Sequence, residues 1–336
     1  MTMCSSVRKL CGVVVGWRWV VAGITLAAVP LMARADDAAV GSRRVLVCGA
    51  RTAIVEIAPG RDQETVVWSY PASSREGWVL PNGNVLLALS KGGPTPKGAA
   101  IEIKRGVTKP GETTTADEII WRYNGRQDEV NSIQKTAEGT YVLTEAGPSP
   151  RLLEIGADDQ VKAEFPLLCQ KQNAHMQTRM SRKQTDGTYL VPHLLDFAII
   201  RYDTAGKELA RINTRVAGEP SVNSWPFTAI ALADGGILAG LTNGNRVVEF
   251  DKEGVVRWQI TAAETDGAIA DACGVQRLPS GNTMIASYHI GKNGVRMLEV
   301  SSEKTVVWQW KANVPAVHHF QVLAVDGVDL AGPALR

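Results

Sequence analysis

The five histidines of the chain are the residues whose chemistry is easiest to place, because all of them fall at equivalent points of a repeating unit. His175, His318 and His319 precede the first strand-like segment of a unit, and His193 and His289 follow its second. Imidazole titrates near neutral pH, so this set is suited to general acid–base chemistry, to capture of a phosphoryl or sulfuryl group, or to metal binding. The elements that carry the histidines decide whether they meet.

The repeating unit occurs six times. Each copy begins with two apolar strands around a tight glycine turn, and it continues with two further apolar strands, as in residues 247–251 and 255–260. The turn glycines recur at intervals of 46 to 56 residues, at Gly83, Gly139, Gly187, Gly235, Gly281 and Gly327. A period of this size, with four short strands each time, is typical of a β-propeller. The sequence therefore predicts an all-β fold, a six-bladed β-propeller of four-stranded antiparallel blades.

The sixth unit stops soon after its glycine turn, and its missing strands are found at the other end of the chain. Three apolar segments, 45–48, 54–57 and 66–70, precede the first complete unit. We expect these N-terminal strands to pair with the C-terminal strand in one sheet and to close the ring, which removes exposed strand edges.

The first 35 residues have the pattern of a secretory signal peptide. Arg8 and Lys9 give a basic start, residues 20–32 are apolar, and Ala33 and Ala35 form a small-x-small cleavage site. The apolar run is too short to span a membrane. We therefore expect a signal peptide at 1–35, cleaved after Ala35, and a single propeller domain at 36–336 that is secreted or periplasmic, with no membrane anchor.

The net charge excludes two classes of binding partner, and the number of cysteines limits the disulfides that can form. Removal of four basic residues with the signal peptide changes the net charge from +2 to about −2, so nucleic acid and anionic membranes are not predicted partners. Cys48, Cys169 and Cys273 remain, and their odd number leaves at least one thiol unpaired in an oxidising compartment.

The histidines are predicted to share one face of the propeller, named here the histidine face. The segment leading into the first strand of a blade and the loop leaving the second lie on the same face, around the central channel. His175, His318 and His319 are the candidate catalytic residues, with stacking by Trp78 and Trp225 and an anionic group oriented by Arg179, Lys91 and Asn131. The remaining candidate ligand-binding residues are Glu145, Asp271, Cys273, His193 and His289.

Other chemistries stay open at this point. A transition metal would need three or four of His175, His193, Glu145, Asp271, Cys273, His318 and His319 to converge, and no local metal motif indicates this. Cys273 with a nearby histidine is a second candidate nucleophile. The chain has no G-x-S-x-G, phosphate-loop or dinucleotide-binding motif. The mouth of a propeller is also polar when it has no ligand at all.

The repeat resembles those of pyrroloquinoline-quinone-like proteins and of bacterial arylsulfotransferases. The shared module L-P-N-G-N-x-L-(I/L)-A and the following (V/I)-E run ending in V-W occur at residues 80–88, 278–286, 248–258 and 298–308. Quinoproteins of this kind usually have eight blades and cofactor ligands that have no counterpart here, so pyrroloquinoline quinone is not predicted. Arylsulfotransferases are six-bladed and use a channel histidine as sulfuryl acceptor, which suits His175, His318 or His319, although they are longer and carry an additional N-terminal β domain.

Two functions are therefore predicted from different classes. In the first, the histidine face binds a small molecule and uses histidine for transferase or hydrolase chemistry. In the second, the same face is a non-catalytic scaffold for a protein or peptide partner, since Trp, Tyr and Arg are also favoured at interfaces.

Overall fold

A computed structural model of the chain describes residues 41–59, 64–106, 116–170, 173–219, 222–312, 314 and 316–330. The signal peptide predicted at 1–35 lies outside the described residues. Three short 3-10 helices occur among them, at Ala174–Met176, Ala263–Thr265 and Lys292–Gly294. In this part of the chain no helix has the length and apolar character needed to cross a membrane.

The described strands form six antiparallel sheets arranged as blades. The chain starts in blade six with β1 (Arg43–Gly49), β2 (Thr52–Ile57) and β3 (Glu64–Tyr70). Blade one is β4 (Ser74–Val79), β5 (Val85–Leu89), β6 (Ala99–Lys104) and β7 (Glu118–Asn124). Blade two is β8 (Glu129–Lys135), β9 (Tyr141–Ala146), β10 (Arg151–Ile155) and β11 (Val161–Pro166). Blade three is β12 (Arg182–Lys183), β13 (Tyr189–His193), β14 (Ala198–Tyr202) and β15 (Glu208–Asn213).

The second half of the ring repeats the pattern. Blade four is β16 (Trp225–Ala231), β17 (Ile237–Thr242), β18 (Arg246–Phe250) and β19 (Val256–Thr261). Blade five is β20 (Ala272–Arg277), β21 (Thr283–Ser287), β22 (Val295–Val300) and β23 (Val306–Lys311). The chain returns to blade six with β24 (Val317–Val325) and β25 (Val328–Asp329). The six-bladed, four-stranded architecture predicted from the glycine period is confirmed.

Ring closure follows the predicted route. The C-terminal β24 pairs antiparallel with the N-terminal β1, with Val45 opposite Val322 and Val47 opposite Phe320. The sheet order is β25-β24-β1-β2-β3, so the short β25 adds a fifth strand that the sequence pattern did not predict. Closure by strands from both ends removes the free edge that β1 would otherwise expose.

The three inner strands of each blade are apolar on both faces because they are packed between neighbouring blades. In β5 every residue is buried, whereas most residues of the outer strand β7 are exposed. Gly83 has a φ of 84° in the turn that joins the first two strands of blade one. Glycine adopts this conformation without steric cost, which explains why the turn residue repeats.

The tryptophans that end the outer strands pack between blades. The ring of Trp121 in blade one lies parallel to Tyr141 of blade two, with centroids 3.6 Å apart. Indole nitrogens also donate to the next blade, as Trp121 does to Asp159 (3.2 Å) and Trp258 to the carbonyl of Ser302 (2.9 Å). These side chains are structural, because they fill the space between neighbouring blades and bond to the next blade.

Glutamines near the ends of the inner strands join successive blades around the channel. The Gln134 amide accepts from the Lys183 backbone N–H (2.7 Å) and donates to its carbonyl (3.3 Å). Gln321 makes the same pair of bonds to Val79 at 2.7 and 3.3 Å, and Gln276 accepts from blade six at 2.8 Å. A side-chain amide thus replaces a backbone peptide group and satisfies buried polar atoms between sheets.

The glutamate of the (V/I)-E run is a second link between blades. Glu102 in blade one accepts from Asn84 (2.7 Å) of its own blade and from Lys135 and Tyr141 of blade two, both at 2.6 Å. Glu154 repeats the arrangement between blades two and three. The motif shared with other propellers is therefore explained by interblade bonding.

Candidate functional site

The inner strands carry one extra residue at the same place in each repeat. In blade one the pairing of β4 with β5 shifts between Ser74 and Glu76, which leaves Arg75 as a bulge, and equivalent shifts occur in the other inner strands. Bulges re-aim side chains. The residues at this place, eight before the turn glycine in blades one to five and nine before it in blade six, are Arg75, Asn131, Arg179, Phe227, Cys273 and His318. We name this set the channel ring.

The channel ring faces the central axis, because two of its members make contacts that skip a blade: Phe227 of blade four with His318 of blade six, and Arg75 of blade one with His175 of blade three. The Phe227 ring of blade four lies nearly parallel to His318 of blade six, at 9° and with centroids 6.1 Å apart. The Arg179 guanidinium of blade three lies 5.5 Å from the Phe227 ring, and Arg75 Nη1 lies 3.4 Å from His318 Nε2. Asn131, Arg179 and Cys273 are at most 2% exposed. The ring is thus a buried layer that mixes charge, amide, thiol, imidazole and aromatic groups.

His175 lies above the channel ring, at the mouth of the channel on the histidine face. It belongs to a short 3-10 turn whose start is fixed by Asn173, which accepts from the His175 backbone N–H at 3.0 Å. Its Nδ1 lies 3.2 Å from Glu129 Oε2 and 3.2 Å from Arg75 Nη2. The His175 side chain is 42% exposed, and its Nε2 has no partner among the described residues. The imidazole is therefore held on one side and open on the other.

Glu129 is the carboxylate around which these cations gather. It accepts from Lys91 at 2.8 Å and from His175, and Arg75 lies 3.5 Å away. Burial raises the pKa of Glu129, but the hydrogen bonds from His175 and Lys91 and the charges of Arg75 and Arg179 outweigh burial, so its pKa lies far below the ordinary value. Glu129 is ionised at neutral pH.

The pKa of His175 reflects opposing influences. The hydrogen bond to Glu129 raises it, whereas desolvation and the charges of Arg179 and Arg75 lower it, and the net pKa lies below 6.5. His175 is consequently neutral at physiological pH. Nδ1 cannot both donate to Glu129 and accept from Arg75, so the tautomer decides which hydrogen bond forms. With its hydrogen on Nδ1, the neutral imidazole donates to Glu129 and presents an unprotonated Nε2 to the mouth, and Arg75 pairs with Glu129 at 3.5 Å instead.

Burial controls the other charged members of the channel ring. Desolvation, together with repulsion from Arg75, lowers the pKa of Arg179 to about 9. Desolvation also lowers the pKa of Arg75, against the attraction of Glu129. For His318, desolvation and the two arginine charges lower the pKa to about 3. His318 is therefore uncharged at neutral pH, where its Nε2 accepts a hydrogen bond from Arg75.

Two further histidines are buried away from the mouth. His319 Nδ1 accepts from the Gly77 backbone N–H at 3.5 Å, and its ring packs 4.9 Å from Trp78. His193 is fully buried and bonds to the Tyr202 hydroxyl at 3.0 Å. Burial lowers the pKa of His193. Both side chains lie in packed protein rather than beside His175.

The remaining polar candidates form local pairs around the rim. His289 is 68% exposed and lies 2.7 Å from Asp271. Glu145 is buried and pairs with Arg151 at 2.7 Å. These residues share the histidine face but have partners of their own.

The two predicted stacking residues are not brought together, which corrects the expected aromatic-walled pocket. Trp225 packs against Phe197, with ring centroids 6.5 Å apart, near the histidine face. Trp78 lies three residues beyond Arg75 along β4, roughly 10 Å towards the glycine turns. There it donates to the Ile133 carbonyl at 2.6 Å and carries Arg182 over its ring at 4.6 Å.

The metal and thiol alternatives receive little support from the geometry. Among the described residues, no three His, Cys, Asp or Glu side chains are grouped so that they could hold a metal ion. Cys48, Cys169 and Cys273 are all buried, and they form no disulfide with one another. Burial raises the pKa of Cys273 to about 12, which disfavours the thiolate that a nucleophile needs.

A cavity of about 1280 Å³ opens on the opposite face, among the glycine turns. Trp78, Arg105, Arg182, Leu278 and Leu330 are among its lining residues. Its cations are largely neutralised, as Arg182 is by Glu76 at 2.5 Å. This cavity was not predicted, because its walls are strand ends and turns with no histidine.

Four residues of the site were not selected from the sequence: Arg75, Glu129, Phe227 and Tyr288. Tyr288 packs 4.9 Å from the His318 ring. A signal for the ring was present: counting eight residues back from each turn glycine finds Arg75 and Phe227 directly. The bulges are known only from the strand pairing, and in the sequence alone this position does not differ from its neighbours.

Comparison with known proteins extends the fold assignment. No protein-family model and no curated protein sequence matches the chain. A protein of unknown function from Bacteroides caccae is 18% identical, with a TM-score of 0.65 over 83% of this chain and 97% of that one.

Two other similar structures are more distant in sequence. A catalytically inactive histidine-to-alanine variant of virginiamycin B lyase from Staphylococcus aureus, solved with quinupristin, is 12% identical, with a TM-score of 0.52 over 85% of this chain and 93% of that one. A chain of a nidogen/laminin complex is 8% identical, with a TM-score of 0.56 over 84% and 98%. At these identities the similarity establishes that the chain has the β-propeller fold.

Proposed function

We propose that the channel mouth on the histidine face binds a small organic ligand and that His175, oriented by Glu129, exchanges a proton with it. The observation that carries this proposal is the contact of His175 Nδ1 with Glu129 Oε2 at 3.2 Å, combined with an open Nε2. A carboxylate that fixes one imidazole nitrogen directs the other towards the reacting atom. The low pKa of His175 keeps that nitrogen available as a base.

The three candidate catalytic histidines then have different roles. His175 is the acid–base residue. His318 is a positioning residue, because its Nε2 accepts from Arg75 and its pKa of about 3 prevents protonation at neutral pH. His319 supports the β4 backbone at Gly77.

The reaction class follows from the open nitrogen. Proton removal by His175 supports elimination or hydrolysis, and attack by the same Nε2 supports the sulfuryl transfer suggested by the arylsulfotransferase-like repeat. The similar fold of a lyase that has a catalytically inactive histidine-to-alanine variant favours proton removal as the first chemistry to test.

Export is part of the same proposal. The basic, apolar and small-x-small pattern of residues 1–35 supports secretion or a periplasmic location, where the ligand would be an extracellular compound. Cleavage after Ala35 would be read from the N-terminal sequence of the secreted protein.

A ligand screen tests the location of the site. Melting temperature would be measured for the protein from residue 36 to 336 with a library of small organic acids, esters and amides. Ligands of the proposed site raise the melting temperature of the native protein and of Arg105→Ala, which changes the cavity on the glycine-turn face. Their effect is lost in Arg75→Gln, because Arg75 lies both at the mouth beside His175 and in the channel ring beside His318. The opposite pattern, or stabilisation only by a protein partner captured on the histidine face, would contradict the proposal.

Chemical modification tests the role of His175 without knowledge of the ligand. Diethyl pyrocarbonate reacts with neutral imidazole, so the modification rate of a His175 with a pKa below 6.5 should fall by less than about fourfold between pH 7.5 and pH 6. Peptide mass mapping gives the rate for His175, and His175→Ala identifies the product. A larger fall in the rate of His175 at pH 6 would overturn its assignment as a neutral base.

A further inference from the structure

We infer that the channel ring binds the carboxylate group of a small organic ligand. The inference rests on the proposed function of the mouth and adds the chemical class of the ligand. It places the charged end of the ligand at Arg75, Arg179 and Asn131, below His175, so that the rest of the molecule extends towards the open Nε2.

Unbalanced buried charge is the first argument. The Arg75 side chain is 11% exposed, and Arg179 as a whole residue is 1% exposed. The two guanidinium groups face one carboxylate, that of Glu129. Burial lowers the pKa of both arginines, and the charge of Arg75 lowers the pKa of Arg179 further. A buried cation without a matching anion is costly, so the layer is suited to receive one negative charge.

Unpartnered polar atoms are the second argument. Both amide atoms of Asn131, which is 0% exposed, lack a hydrogen-bond partner among the described residues. Three buried nitrogens also lack a hydrogen-bond partner among the described residues: Nε of Arg75, Nε of Arg179 and Nδ1 of His318. Among the residues that the structure describes, Arg179 Nη1 donates only to the Thr178 carbonyl, at 2.9 Å. Buried groups of this kind are normally satisfied, and here they converge from four blades on one axis.

The charge balance selects a carboxylate over a dianion. Two guanidinium groups and one carboxylate leave a surplus of one positive charge among the buried groups, which a single carboxylate neutralises. Lys91 also contacts Glu129, but its side chain is half exposed and its charge is screened by solvent. Sulfate or hydrogen phosphate would carry excess negative charge next to Glu129. Guanidinium groups also match the two oxygens of a carboxylate by paired hydrogen bonds. Phe227 and Tyr288 beside His318 add apolar contact for an organic body.

Calorimetric titration with sodium benzoate, sodium acetate and sodium sulfate at pH 7 tests the inference. We expect benzoate to bind the native protein, acetate to bind more weakly and sulfate to bind least. Asn131→Asp retains the side-chain shape but supplies the missing negative charge. It should weaken benzoate binding at least tenfold and raise the melting temperature, an outcome that misfolding cannot imitate. Asn213→Asp, at an exposed site on β15, is the control and should leave both quantities unchanged.

The outcomes separate this inference from the function proposed above. Absence of benzoate and acetate binding, sulfate binding in preference to both, or equal benzoate affinity in Asn131→Asp would overturn the carboxylate assignment. His175→Ala should retain benzoate affinity within about twofold because the ring is intact. If benzoate binds as expected while the diethyl pyrocarbonate rate of His175 falls by more than about fourfold between pH 7.5 and pH 6, the ring assignment stands and the acid–base role of His175 fails.

Discussion

Arg75 contacts two histidines at once, and the two histidines have different properties. Its Nη2 lies 3.2 Å from His175 Nδ1, and its Nη1 lies 3.4 Å from His318 Nε2. His318 is buried and stays neutral as an acceptor, whereas His175 has one nitrogen open at the mouth. The difference comes from burial rather than from residue type, which explains why the sequence could not choose between the two.

The pKa of His175 should respond to the charge of Arg179. Arg179→Gln removes a positive charge that disfavours the imidazolium form, so the pKa of His175 should rise. Because the neutral form reacts, the low-pH limb of the diethyl pyrocarbonate rate should move to higher pH. Arg211→Gln, in an exposed pair with Glu208, should leave the profile unchanged. A limb that stays in place or moves to lower pH in Arg179→Gln would show that the channel ring does not control His175.

At the scale of strands, the sequence specified the elements better than it specified the site. The glycine period and the apolar segments around it predicted the blades and the closure of β1 on β24. Trp78 was misplaced because the sequence does not show how far along β4 the side chain lies. The position of the channel ring is set by β-bulges, and a bulge cannot be recognised from the sequence of a single copy of the repeat. It becomes visible only when Arg75 and Phe227 are aligned through their glycines.

The interblade glutamates should contribute measurably to stability. Glu102→Leu leaves Lys135, Tyr141 and Asn84 without their acceptor between blades one and two. Breaking such a buried set is expected to lower the free energy of unfolding by about 3 kcal/mol. Glu208→Leu, which breaks an exposed pair, should cost less than about 1 kcal/mol. Urea denaturation of both variants checks this, and equal losses would contradict the bonding role of the (V/I)-E motif.

For the whole molecule, the buried histidine predicts acid sensitivity. His318 has a pKa of about 3 in the folded protein against 6.5 as the ordinary value. Between these values the unfolded chain binds the additional proton, so stability falls as pH decreases below 6.5. From pH 7 to pH 5 the loss from this group is on the order of 1 to 2 kcal/mol.

His318→Gln retains an acceptor for Arg75 but cannot titrate. Its free energy of unfolding should therefore fall less than that of the native protein between pH 7 and pH 5, by the amount given above. His289→Gln, at the exposed rim, serves as the matched control. Parallel curves for the native protein and His318→Gln would mean that His318 is not held neutral by burial.

The most direct measurement is a histidine-selective nitrogen NMR titration of the native protein, with His175→Ala used to assign the signal. We expect His175 to be neutral at pH 7, to carry its hydrogen on Nδ1, and to titrate below pH 6.5. Addition of benzoate should raise that pKa, because an anion in the channel ring offsets the charges of Arg75 and Arg179. A hydrogen on Nε2, or a pKa at or above 6.5 in the free protein, would contradict the assignment of His175 as the base at the channel mouth.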